Sequence, residues 1–90
     1  MKKTIITVVG QDQVGIIAKV CNYFASNNIN ILDISQTVMQ GYFNMMMIVT
    51  TEGATKSHDD IAAELVELGN EIGVQIKAQR EEIFNMMHRI

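Results

Sequence analysis

Four β-type runs, two helical apolar stripes between them and a hairpin signal at the centre of the chain give the element order βαββαβ. That order predicts an α+β fold. Two β-α-β units joined by a hairpin most often close into a ferredoxin-like sandwich, a four-stranded antiparallel sheet with two helices on one face. The chain has 90 residues and 48% hydrophobic composition, enough for one such domain. A second core is excluded, because a domain this small buries only about 60% of its unfolded surface.

The first strand is KTIITVV (3–9), rich in β-branched residues and ending at Gly10. From Gly15 to Asn27, Ile16, Ile17, Val20, Cys21 and Phe24 recur at spacings that form one stripe on a helix. Asn27-Asn28 ends it, since Asn competes for backbone hydrogen bonds and tolerates left-handed backbone. INILDISQTVM (29–39) is the second strand, and Gln40-Gly41 is a tight turn into YFNMMMIVTT (42–51). Alternation there puts Phe43, Met45, Met47 and Val49 on one wholly apolar face, which belongs to the core. Ser57 followed by Asp60 resembles a capping box opening the second helix, with Ile61, Leu65, Leu68 and Ile72 as its stripe. Gly69 or Gly73 ends that helix, and VQIKAQ (74–79) is the fourth strand.

Residues 1–79 complete the sandwich. REEIFNMMHRI (80–90) is then a short C-terminal amphipathic helical extension, with Ile83, Phe84, Met87 and Ile90 at helical spacing and Met86 beside them. Its stripe is expected to pack on the open sheet face near Met46 and Ile48, or on a second copy of the chain. A role in dimerisation or capping is preferred to a membrane surface, because the polar side is not markedly basic.

The net charge of -3 and the spread of acidic residues argue against nucleic acid as a partner. Cys21 is the single cysteine, so no internal disulfide and no CxxC metal or redox motif is possible. IITVV is too short for a signal core or a membrane span. A soluble, cytoplasmic protein with no membrane association is expected.

Catalytic signatures are missing. No Walker A or G-x-G-x-x-G loop is present, so neither phosphate-binding turn applies. An acylphosphatase-like loop needs an Arg to hold phosphate, and none precedes Arg80. An RNA-recognition sheet needs aromatics on its central strands, and the first strand has none. His58 and His88 read as surface helix residues, and Met45-Met46-Met47 cannot converge on a metal because successive strand residues face opposite sides. No catalytic residue, metal site or cofactor is expected, and the protein is read as not an enzyme.

What remains is GQDQVGIIAKV (10–20). A helix starting at about Gln13 leaves backbone N–H groups unpaired at its positive end, where a carboxylate fits. Two readings stay open. In one, Asp12 is an N-cap that takes those donors, and Gly10 and Gly15 only permit a tight turn. In the other, Asp12 accepts the ammonium group of a zwitterion while the N–H groups hold its carboxylate.

The run G-x-D-x-x-G-I-I-A from Gly10 to Ala18, Asn28-Ile29-Asn30-Ile31 opening the second strand, and the hairpin and helix that follow resemble the ACT domain, an amino-acid-sensing regulatory module. Residues 1–79 fit it throughout. DISQTV (33–38) and the terminal IFNMMHRI are similar to small standalone single-ACT-domain proteins of prokaryotes, and these to the first domain of the glycine cleavage system transcriptional repressor. The resemblance implies two copies paired edge to edge through their second strands. It also implies a free amino acid held between the first loop of one copy and the second strand of the other. Carried over by position, the ligand-binding residues are Gln11, Asp12, Gln13, Val14 and Gly15, with Asn30 from the second copy. Several amino-acid-binding members carry His at the position of Gly10 and Asn at that of Asp12, where this sequence has neither.

The expectation is a non-catalytic regulatory module that senses a small-molecule ligand, an amino acid, at a homodimer interface or in a higher homo-oligomer, and signals to a protein partner. The rival is a ligand-free structural subunit that interacts through its C-terminal helix.

Overall fold

The computed structural model describes residues 3–11 and 14–87. Its elements are β1 (Lys3–Gln11), α1 (Ile16–Ser26), β2 (Asn30–Met39), β3 (Tyr42–Thr50), α2 (His58–Ile72), β4 (Val74–Arg80) and α3 (Glu81–Met87). They form one antiparallel sheet in the order β2-β3-β1-β4. Each β-α-β unit therefore steps over one strand, and the predicted ferredoxin-like sandwich with a short C-terminal helix is the fold found.

The period-2 pattern decides which face is dry. Ile6 and Val8 of β1 lie opposite Met47 and Met45 of β3, and all four are buried on the side the helices cover. Phe43 and Val49 continue that row, as the alternation predicts. Ile16, Val20 and Phe24 of α1 and Ile61, Leu65 and Ile72 of α2 close the core from above, joined by Val74 and Ile76 of β4. Three expected core positions are more open: Ile17 stands at the rim of its stripe, and Cys21 and Leu68 are half-buried.

Local chemistry sets the element ends. Asn28, at φ 57°, closes α1 in a Schellman arrangement, with Ile29 N–H bonded to Phe24 O at 2.9 Å and Asn28 N–H to Ala25 O at 3.3 Å. Gln40 and Gly41 both take positive φ, the two-residue turn whose twist matches a hairpin. Ser57 caps α2, its hydroxyl accepting from the Asp60 N–H at 3.2 Å, as expected of the capping box. Gly73, not Gly69, ends α2. Gly69 serves instead as a contact point, for a Cβ there would lie 2.6 Å from the Val74 carbonyl oxygen. Helix and strand touch at that point.

α3 contacts β1 and β4. Ile5, which pairs with Ile48 and points to the sheet face away from Ile6 and Val8, is 5% exposed, while Met46 stays 42% exposed. Ile83 and Met86 on α3 are 43% and 74% exposed, so part of its stripe finds no cover within the described residues. The stripe's last member, Ile90, lies outside those residues. Among the described residues no helix is long and apolar enough to cross a membrane.

Candidate functional site

The loop between β1 and α1 leaves the sheet at Gln11, which pairs with Tyr42 at the end of β1 and is exposed. Asp12 and Gln13 lie outside the described residues. Val14 follows in a turn and is fully exposed, and Gly15 then takes φ 92°. A left-handed residue cannot continue a helix, so α1 begins at Ile16 and not near Gln13. The N-cap is accordingly Gly15 rather than Asp12, and it has no side chain with which to cap. The first bond that closes the helix runs from Lys19 N–H to Gly15 O at 3.0 Å. The first turn contains no acidic residue. The positive end of the helix dipole thus meets the loop without a carboxylate in its own first turn.

Gly10 is needed for a different reason. A Cβ at this position would lie 2.7 Å from Val74 Cγ1 and 3.1 Å from Val74 Cα. A histidine here would have to displace β4. The side-chain volume at position 10 is taken by Val74.

Asn30 opens β2 and is exposed, paired with Thr50, which in turn pairs with Lys3. Gln11 and Tyr42 mark the opposite end of the same ladder. The strand length between them is roughly 25 Å. One chain therefore does not bring its loop and its own Asn30 together. A site holding both would need the loop of one copy and Asn30 of another.

β2 is suited to such a pairing. It is an edge strand, and nearly every residue along it is exposed. Leu32, Ile34, Val38 and Met39 present apolar side chains there. A long exposed edge with apolar side chains is a template for another strand. The edge position agrees with the second-strand edge that the resemblance implies.

Two further features lie outside the predicted set. Tyr23 of α1 donates to Glu64 of α2 at 2.7 Å. At the end of the sheet away from the loop, His58 is half-buried rather than a plain surface residue, and shares a cleft with Lys3 and Arg80. Neither leaves a local sequence signal, because each joins elements far apart in the chain. No group of three or more His, Cys, Asp or Glu side chains among the described residues is placed to hold a metal ion.

Comparison with known proteins agrees with this architecture. The family model for the ACT domain matches residues 2–79. A UPF0237 protein of Bifidobacterium longum is 60% identical over 90 residues, covering 100% of both chains. Among solved structures, an ACT domain protein from Streptococcus pneumoniae superposes with a TM-score of 0.81 at 40% identity, covering 92% of this chain and 93% of that one. A structure assigned to a glycine cleavage system transcriptional repressor shares the fold, with a TM-score of 0.73 at 23% identity over 88% of this chain and 45% of its own. ACT domains are in general regulatory modules that bind small molecules, and they often oligomerise. With the family model matching nearly the whole sandwich and a relative this similar over its full length, the chain belongs to the ACT domain family.

Proposed function

We propose that this protein is a non-catalytic sensor of a free amino acid, working as a dimer paired through β2. Antiparallel pairing of β2 with its own copy carries Asn30 of one chain to the loop end of the other. The ligand then lies between Gln11, Asp12, Gln13, Val14 and Gly15 of one chain and Asn30 of the second. Backbone N–H groups at the start of α1 take the carboxylate, Asp12 takes the ammonium group, and Asn30 both donates and accepts. The observation that carries this reading is the separation of the loop and Asn30 at opposite ends of one ladder, beside an uncovered edge strand.

Ligand acts by favouring one dimer geometry over another, which requires different affinities for the two, and a cytoplasmic protein partner reads the result. Residues 1–79 are the sensing domain and 80–90 an extension. The exposure of Ile83 and Met86 supports a second reading, in which the extension docks on a partner and the loop is only a turn.

Mixing two inactive variants tests the shared site. Asp12→Ala and Asn30→Ala each remove binding alone. Mixed and allowed to exchange subunits, they regain it, because the hybrid dimer contains one site with both residues intact. A site within one chain gives no recovery.

A further inference from the structure

A concavity lies at the opposite end of the sheet from the β1–α1 loop. It encloses about 470 Å³, within the size range of small-metabolite sites. Two strands supply its positive groups, Lys3 at the start of β1 and Arg80 at the end of β4, and the His58 imidazole at the start of α2 stands beside them. Glu81 and Glu82 of α3 line it with the opposite sign, and buried Thr4 lies against it. Lys56–Glu64 is the ion pair found among the described residues, so within them neither Lys3 nor Arg80 has a carboxylate at contact distance. Charges of both signs thus border one cleft without pairing across it. β1 and β4 also lie on the far side of β3 from the β2 edge, so pairing through β2 leaves the cleft open.

We infer that this cleft is a second binding site, contained within one chain, for a small zwitterion whose carboxylate is held by Arg80 and Lys3 and whose ammonium group is held by the α3 carboxylates. A guanidinium takes a carboxylate through two parallel hydrogen bonds, so Arg80 fixes orientation as well as charge. His58 reports the binding. Burial, and then the Arg80 guanidinium, hold its imidazole below the ordinary value of 6.5, against an upward pull from Asp59. A carboxylate arriving beside Arg80 offsets that repulsion and raises it, while Lys3, Glu81 and Glu82 contribute fixed charge from the other walls. The site stands apart from the interface proposal, and either can fail without the other.

The test is an NMR pH titration of the His58 ring in the whole protein, assigned with His58→Gln. It is run with and without the common L-amino acids at millimolar concentration, and with acetate and methylammonium as single-charge controls. The inference expects at least one amino acid to raise the His58 pKa saturably, with neither control doing so at equal concentration. Arg80→Gln weakens that effect about tenfold or more, the loss of one charge-assisted pair. Glu81→Gln weakens it as well, and Asn30→Ala leaves it unchanged. No response to any amino acid, an equal response to acetate, or a response indifferent to Arg80→Gln overturns the inference. Loss of the response in Asn30→Ala overturns it too, by assigning the effect to the interface.

Discussion

The Tyr23 hydroxyl donates to Glu64 Oε1 at 2.7 Å and so ties α1 to α2 across the top of the sheet. Lys56 Nζ donates to both oxygens of the same carboxylate at 2.8 and 2.9 Å, adding the loop before α2 to the link. Lys56 first, and Tyr23 next, hold the Glu64 carboxyl below its ordinary value of 4.5. A depressed carboxyl contributes stability that is present above the ordinary value and lost as pH falls through the depressed one. The melting temperature is therefore expected to fall more steeply in acid for the wild type than for Glu64→Gln. Burial, and then Glu64, push the Tyr23 phenol above its ordinary value of 10.0. Its contribution is complete below that pH and fades above it, so Tyr23→Phe flattens the alkaline side. Thermal unfolding followed by circular dichroism across pH checks both.

The Gly10–Val74 approach predicts a paired effect. Gly10→Ala puts a methyl group 2.7 Å from Val74 Cγ1 and is expected to cost about 1 to 3 kcal/mol, the usual range for overpacking. In the Val74→Ala background the added cost is smaller, because the nearest atom is gone, but it does not vanish, since Val74 Cα stays 3.1 Å away. Urea unfolding of the four proteins in this cycle measures the coupling.

At α2 the prediction concerns a single hydroxyl. Ser57→Ala removes the acceptor for the Asp60 N–H and is expected to cost about 1 kcal/mol, while Ser57→Asp retains most of the stability. Calorimetric melting separates them, since 1 kcal/mol moves the midpoint of so small a domain by about 4 to 8 °C.

These residues also show what was legible in the sequence. The strands and helices were, because alternation in YFNMMMIVTT and the Ser57–Asp60 spacing are local properties of the chain. The start of α1 was not, because Asp12 has the chemistry of an N-cap, whereas Gly15 takes left-handed backbone and the helix can begin only after it. Gly69 and Gly73 are equivalent as helix stops on paper; only the nearness of the Val74 carbonyl distinguishes a packing glycine from a terminal one. For the site, the sequence order of Gln11 and Asn30 says nothing of their lying at opposite ends of a ladder. The meeting of His58 with Arg80 was equally hidden, since it depends on β4 pairing with β1.

The exposed face of β2 yields a prediction about assembly. Ile34 is 44% exposed on that edge, and a lysine there both charges and blunts it. Ile34→Lys is expected to keep the melting cooperative and to halve the mass in solution. Val66→Lys, on the outer side of α2 at a comparable 48% exposure, is expected to leave the mass unchanged. Light scattering on both proteins reads the difference.

The most direct test of the sensor proposal is thermal unfolding of the wild type and Asn30→Ala against a panel of free L-amino acids at millimolar concentration. A ligand at 100 times its dissociation constant adds about 2.7 kcal/mol, a shift of many degrees for a domain of this size. The account predicts a selective rise for one amino acid or a few close analogues in the wild type, and its loss in Asn30→Ala with the unliganded melting temperature unchanged. A flat response across the panel, or a rise that survives in Asn30→Ala, contradicts a ligand held between the loop of one copy and Asn30 of the other.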